Sequence, residues 1–339
     1  MTHPLTAPTT EVRVDHRSAV HLAAETARAV ARECGLPGAL PDQAALIASE
    51  LATNLNKHAG DGTLYVQPLP LGHGVEIVAA DRGPGMRDPE RCPADGCTTA
   101  GTLGGGLGAV NRMATHFTIR SADGPGAGTW ACARLTPPGE RRQEWQGVGT
   151  VCLPAEGEED CGDARAIVDT GSARTAVVLD GLGHGRAAAE AAQAALGAFH
   201  TDPDRPLPEV VTRMHRVLRH TRGAAVGLLR LYPDRADYCG IGNIRALALS
   251  HEGVSYRLTG QPGVVGWEMP APRVHGFPLP QGSTAVLHSD GIDARWGLDP
   301  PPRLLRLPPP LLSAALAHGH RRVRDDATVL AARSPLRLP

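Results

Sequence analysis

Between Ser18 and Cys34 the run SAVHLAAETARAVAREC returns apolar residues every three to four positions, which predicts an amphipathic helix packed through alanines. LPGALP interrupts it, and DQAALIASELATNLNKHAG predicts a second helix with Asp42 as its N-cap. Alternating stretches then read as strands: TLYVQPL, GVEIVAAD, FTIRSA and GTWACARL, with a glycine-rich segment at 101–108 and a helix-like AVNRMATHF between them. The polar, Pro- and Gly-bearing stretch 137–146 reads as a linker. Beyond it, GTVCLP, DARAIVDT and ARTAVVLD are strand-like, and two helices follow at RAAAEAAQAALGAF and about 207–220. AAVGLLRLY, RADYCGIG, IRALALS, VSYRLT, STAVLHSD and ATVLAAR are further strands, and Leu-rich 303–317 reads as a helix broken by three prolines. Strands cluster in pairs around blocks of helix, which predicts an α+β layered architecture rather than a βαβ parallel sheet. The expected boundaries are a disordered leader at 1–11, a first domain at 12–136, the linker, and a second domain at 147–335.

Composition narrows the partners. Lys+Arg of 34 against Asp+Glu of 35 leaves a net charge of -1, so nothing marks the chain for nucleic acid or an anionic membrane surface. Aromatic residues at 3% make a base-stacking platform improbable and leave the cores to Ala, Val and Leu. Lys57 is the only lysine. The seven cysteines are scattered and form no CxxC pair, which points away from a disulfide framework or zinc site and toward a reducing cytoplasm. The start MTHPLTAPTT lacks the apolar core of a signal peptide, and no run approaches the ~20 apolar residues of a membrane span.

Aspartates carry the chemistry of the second half. Phosphate monoester hydrolysis is served by a pair of divalent cations about 4 Å apart, and hard cations take carboxylate and carbonyl oxygens. Asp163 opens DARAIV; Asp180 ends TAVVLD and starts the turn DGLGHG; Asp290 lies in SDGI; Asp325 and Asp326 lie in DDATVL. Glycine after Asp180 permits a tight turn that frees the Gly181 carbonyl. An isolated Asp-Gly is most often only a turn, so the ordered set carries the signal and its members do not. CGDARAIV, VVLDGLGHGRAAAEAA, RGAAVGLLRL, YCGIGNIRALAL, HSDGI and DDATVL, over roughly 147–333, resemble the PPM-type metal-dependent Ser/Thr phosphatases in their SpoIIE/RsbX branch. The resemblance implies a β-sandwich flanked by helices and two Mn²⁺ or Mg²⁺ ions. Asp180 would bridge them, Gly181 and Asp163 would complete one site, and Asp290 and Asp325 the other. Asp326 stands outside that set, because the family's ligand is usually the first Asp of the pair. His184 is expected to be structural, Asn243 to form a turn, and Arg165 to be solvated.

A second constellation precedes the linker. SELATNLNKHAG spaces Glu50, Asn54 and His58 along one helical face. Asp81 follows an apolar strand and starts DRGPGM, and GTLGGGLGAVNRM sets glycines before a helix start, where backbone N–H groups can cradle an anion. These boxes, over about 12–136, resemble the GHKL ATPase/kinase family in its anti-sigma and switch-kinase branch, with its Bergerat α/β sandwich. The resemblance implies ATP with Mg²⁺: Asn54 as the Mg²⁺ ligand, Glu50 as general base on a protein serine, and Asp81 as the reader of adenine. Gly83 and Gly85 would shape the adenine pocket, Gly104, Gly106 and Gly108 would meet phosphates, Lys57 would reach a phosphate, and Thr129 would sit near adenine. Asn56 departs from the apolar residue common there, on a different helical face from Asn54.

Together these imply a metal-dependent protein phosphatase fused to an ATP-binding switch kinase. By family analogy, its partners are phosphorylated STAS-domain regulators in a sigma-factor or stress pathway, with a sigma factor or upstream regulator and a homodimer as further possibilities. The competing readings are a nucleotide-gated module that sequesters a partner without phosphate transfer, and a phosphatase of small metabolites.

Overall fold

The computed structural model describes residues 7–59, 61–86, 106–122, 124, 127–140, 147–170 and 172–335. Contacts divide the chain into two compact units, Met1–Trp145 and Gln146–Pro339. Among the described residues no helix is long and apolar enough to cross a membrane.

The first unit runs β1 (Thr10–Arg13), α1 (Ser18–Glu33), α2 (Leu40–His58), β2 (Gly62–Pro68), β3 (Val75–Asp81), α3 (Gly106–Met113), β4 (His116–Ser121) and β5 (Thr129–Leu135). Its sheet has the order β1-β2-β3-β5-β4, with antiparallel pairings throughout. The alanine periodicity of α1 turns Ala23, Ala27 and Ala31 inward, and they pack in one cluster with Ile47, Ala48 and Leu51 of α2 and with Leu64, Ile77 and Ala133 of the sheet. On the other face of the sheet a buried polar chain replaces apolar packing. Thr9 donates to Gln67 at 2.5 Å, Gln67 to Glu76 at 2.8 Å, and Arg134 Nε to Glu76 at 2.6 Å.

Two local expectations change. Asp42 is not the N-cap of α2: the helix starts at Leu40, because Pro41 lacks an N–H that the first turn would leave unused anyway. Asp42 instead sits in that first turn and accepts from Arg28 Nε at 2.9 Å. In addition, Thr10 and Glu11 pair with Val66 and Tyr65, so the sheet takes up residues placed in the leader.

The second unit contains β6 (Val148–Leu153), β7 (Asp163–Asp169), β8 (Arg174–Gly181), α4 (Arg186–Thr201), α5 (Leu207–Leu218), β9 (Ala224–Leu231), β10 (Arg235–Ile241), β11 (Arg245–Ser250) and β12 (Gly253–Thr259). It continues through β13 (His275–Pro278), β14 (Thr284–His288), a 3-10 turn at Ala294–Gly297, α6 (Pro302–Leu305), α7 (Pro309–His320) and β15 (Ala327–Ala332). Two antiparallel sheets result, β13-β10-β9-β8-β7 and β12-β11-β14-β15-β6. They face each other through β15 against β7 and β8. The first is covered outside by α4 and α5, whose Ala191, Ala195, Phe199, Val211 and Met214 pack on Val177, Leu179 and Val226. The second is covered by α7, which lies so close to β6 that a Cβ on Gly149 would come within 2.3 Å of Pro310. The three prolines expected to interrupt 303–317 act as a helix start: Pro308 is the N-cap, and Pro309 and Pro310 open α7. The chain is thus α+β throughout, a helix-backed sheet followed by a sandwich of two sheets with helices on both outer faces.

Candidate functional site

In the second unit four strand ends meet at one edge of the sandwich. The β7–β8 register sets Asp163 directly opposite Asp180. Gly181 N donates to Gly162 O at 2.9 Å, and a Cβ on Gly181 would come within 2.2 Å of Ala188 O, so only glycine lets α4 start against this turn. From the other sheet, Ser289 at the end of β14 donates its hydroxyl to Asp163 Oδ2 at 2.7 Å and accepts from Thr328 N at 2.9 Å. The next residue, Asp290, shares a donor with Asp180. Asn243, in the turn between β10 and β11, gives one hydrogen bond to Asp180 Oδ2 at 3.0 Å and one to Asp290 Oδ2 at 2.8 Å. Asp325 and Asp326 precede β15, and Gly291 approaches Asp326 O so closely that a Cβ there would overlap it at 1.9 Å.

The electrostatics are those of crowded anions. Burial raises the Asp163 carboxyl well above the usual range, and the facing Asp180 raises it further. Burial and then the charge of Asp290 push Asp180 up to about 7, against the opposing hydrogen bond from Asn243. Asp325 is raised by burial and Asp290, and Asp326 by burial. Asp163 Oδ1 and Asp326 Oδ2 are buried without a hydrogen-bond partner. Among the described residues no group of three or more His, Cys, Asp or Glu side chains is set to hold a metal ion as it stands. Crowded carboxylates with orphaned oxygens, set beside a tight glycine turn, fit a hard divalent cation by the chemistry of their donors.

The remaining residues of this half fall outside that convergence or join it unexpectedly. His184 is 72% exposed and lies 3.2 Å from Glu158. Arg165, expected to be solvated, is only 7% exposed, because its strand is buried on both faces. Asn243, read as a turn former, is the residue that joins two of the aspartates; its GIGN context carried no signal of that beyond its place after a strand.

In the first unit α2 carries Glu50 and Asn54, and α3 begins against them. A Cβ on Gly106 would lie 2.8 Å from Glu50 Oε2 and 3.8 Å from Asn54 Oδ1. Asn54 Nδ2 is buried without a partner. Asp81 ends β3, and its Oδ1 accepts from Gly83 N at 2.8 Å and Thr129 N at 3.1 Å, while burial raises its carboxyl. The DRGPG turn is fastened to the β4–β5 hairpin: Gly128 N donates to Gly83 O at 3.0 Å, and Met86 N to Ser121 Oγ at 2.7 Å. Gly85 has φ +74°, and any Cβ there would collide with Ala122 O at 1.6 Å. Gly108 is buried in α3, whereas Lys57 is exposed at the end of α2. Gly104 lies outside the described residues.

Family profiles match both units. That of the histidine kinase-like ATPase domain covers residues 14–134, and that of stage II sporulation protein E (SpoIIE) covers residues 171–335. The serine/threonine-protein kinase RsbT of Bacillus subtilis (strain 168) is 36% identical over 108 residues, which span 31% of this chain and 80% of that protein. The chain belongs to the RsbT-type switch-kinase family, fused to a SpoIIE-type phosphatase domain. Among solved structures, a chain from the bacterial stressosome, described as a modular system adapted to control secondary messenger signaling, is 31% identical with a TM-score of 0.52. It covers 56% of this chain and is itself covered completely. RsbX in complex with magnesium is 22% identical with a TM-score of 0.48, over 56% of this chain and 96% of its own. The fusion is therefore a PPM-type protein phosphatase joined to a kinase-like ATPase in a partner-switching setting. Its phosphatase family is metal-dependent, and its GHKL family binds ATP.

Proposed function

We propose that the chain is a two-headed switch acting on STAS-type regulators: its second unit removes phosphate from a Ser or Thr of such a partner, and its first unit binds ATP and phosphorylates the same class of protein. The observation that carries the phosphatase half is the convergence of Asp180 and Asp290 on the single amide of Asn243, beside the facing Asp163. Two Mn²⁺ or Mg²⁺ ions would neutralise the phosphate and activate water for in-line attack. Asp163, the Gly181 carbonyl and Asp180 would hold one, and Asp180, Asp290 and Asp325 the other. Asn243 fixes the rotamers of Asp180 and Asp290, so that their remaining oxygens stay aimed into the site. Asp326 is tied to Ala155 N at 2.9 Å through Oδ1, which suits it to shaping the β15 start more than to ligation.

In the first unit Asp81 would accept from the adenine amino group while Gly83 and Thr129 hold its other oxygen. Gly83 and Gly85 would form the floor of that pocket, with Thr129 at its edge. Asn54 would hold Mg²⁺, Gly104, Gly106 and Gly108 would offer backbone N–H groups to the phosphates, and Lys57 would reach them from the rim. Glu50, beside Asn54, would take the proton of the partner's serine. A sigma factor, an upstream regulator and a second copy of the chain are further partners of this class of switch, and the setting is cytoplasmic.

The deciding experiment incubates the protein with a phosphorylated STAS-domain protein, with and without Mn²⁺ and with and without ATP, and follows the phosphate. Mn²⁺-dependent release and ATP-dependent return are expected. Release with no return, unchanged by Glu50→Gln, would reduce the first unit to a nucleotide-gated binding module. Faster hydrolysis of small phosphates than of the phosphoprotein would overturn the protein-substrate reading.

A further inference from the structure

The loop that joins β6 to β7 brings two cysteines together beneath the carboxylates. Cys152 Sγ lies 3.7 Å from Cys161 Sγ and 3.7 Å from the backbone oxygen of Asp163. Both side chains are buried, Cys152 to 1% exposure and Cys161 to 8%. We propose that these two thiols are a redox pair, joined by peroxide into a disulfide that switches off the adjoining phosphatase site. The inhibitory half of this rests on the phosphatase reading above; the pairing does not.

The geometry determines which side yields. Cys152 is held in the ladder opposite Thr328 of β15. Cys161 lies outside any strand, at the end of a connection in which Glu156, Gly157, Glu159 and Asp160 are exposed. A disulfide needs about 2.05 Å between sulfurs, so roughly 1.7 Å must close, and Cys161 is the side with freedom to move. The adjoining Gly162 has none to spare. Its carbonyl accepts from Gly181 N at 2.9 Å, and a Cβ on it would stand 2.6 Å from Asp326 Oδ2 and 2.9 Å from Ala188. Drawing Cys161 toward β6 therefore pulls on the backbone between Asp163 and Gly181, where the site is assembled.

The chemistry balances with peroxide alone. The sulfur of one thiol, the less buried Cys161, takes an oxygen from the peroxide and becomes a sulfenic acid, with release of one water. The sulfur of Cys152 then displaces that hydroxyl, its proton leaves with it as a second water, and the S–S bond forms. The two thiols lose two electrons and two protons, and hydrogen peroxide is reduced to two waters. A dithiol reverses the process by exchange. Cys34, Cys132 and Cys239 are buried as free thiols, and none of them contacts a second sulfur among the described residues.

The test is favoured by the sequence, because trypsin releases residues 143–165 as one peptide containing both cysteines. The full-length chain would be treated with hydrogen peroxide, alkylated, digested and weighed, and Mn²⁺-dependent hydrolysis of an aryl phosphate followed in parallel. The expected result is a peptide lighter by two hydrogens and free of alkylation, with hydrolysis down about tenfold or more, both reversed by a dithiol. The Cys161→Ser variant should hydrolyse normally before and after peroxide. Two alkylated thiols in that peptide after treatment, or pairing of either cysteine elsewhere, would overturn the proposal. A disulfide that formed without loss of hydrolysis would overturn its inhibitory half. A chain with no Mn²⁺-dependent hydrolysis before oxidation would instead count against the phosphatase reading, with the peptide mass still deciding the pairing.

Discussion

A carboxylate pushed up to about 7 by burial and then by a neighbouring carboxylate is held there by its fold against its own preference, and Asp180 is such a group. Asp180→Asn and Asp290→Asn should each cut Mn²⁺-dependent hydrolysis of an aryl phosphate by on the order of a hundredfold or more while leaving the circular dichroism spectrum unchanged. Activity near that of the unsubstituted chain in either variant would contradict their assignment, and removing divalent ions with a chelator should reproduce the loss. Asn243→Ala should act more mildly, lowering Mn²⁺ affinity by about 10–100-fold, because it frees the rotamers of two proposed ligands without removing either. His288 makes a different prediction. Its ring is fully buried, Nδ1 donates to Ser289 O at 2.8 Å, and burial pushes its pKa down to about 4. The unfolded chain binds a proton there below about pH 6.5 and the folded one does not, so stability falls as pH drops from about 6.5 toward 4. At about pH 5 the loss is roughly 2 kcal/mol for this group. The raised carboxyls of Asp163 and Asp326 slope the other way, so the comparison belongs between the natural chain and His288→Leu in urea titrations at two pH values; equal slopes would refute it.

Elements, in turn, decide which residues can be neighbours at all. The turn after β8 exists because Gly181 lets α4 begin within van der Waals contact, so Gly181→Ala should lower the melting temperature by several degrees and abolish hydrolysis together. In the proposed nucleotide site the hairpin β4–β5 plays a similar part: Asp81→Ala should weaken ATP binding at least tenfold in a calorimetric titration, through loss of a carboxylate that the backbone of Gly83 and Thr129 holds in place. Much of this level was legible in the chain itself. Alanine periodicity exposed α1 and α4, alternation exposed most strands, and the α+β class followed from their clustering. Strands β1 and β13 have four residues each and no period to read, and both are edge strands recognisable only by their partners. The role of Asn243 was hidden for a related reason. It depends on a strand pairing that sets residue 243 against 180 and 290, and no local pattern encodes distances across 47 and 63 positions. The prolines at 308–310 misled because their effect changes sign between the interior and the first turn of a helix.

At the level of the whole chain, the two proposed chemistries of opposite direction fall in separate compact units, one built on a single sheet and the other on two, each with its own buried cluster. Asp180→Asn should therefore leave ATP binding at its original affinity, and Asp81→Ala should leave Mn²⁺-dependent hydrolysis intact; loss of both activities from either change would show that the units do not function separately. The pairing of β6 with β15 has a further consequence. Val148 begins the phosphatase half and Ala332 lies near its far end, yet the two are partners in one ladder. During translation, β6 must wait with its edge unpaired while β7 to β14 are made, and only the arrival of Ala327–Ala332 closes the sheet. Asp163 and Asp325 lie on opposite sides of that wait. A ribosome-bound fragment that stops short of the last strand can already hold a finished ATPase fold while it has no phosphatase, so each newly made molecule passes through a stage in which the switch has only its kinase-like head.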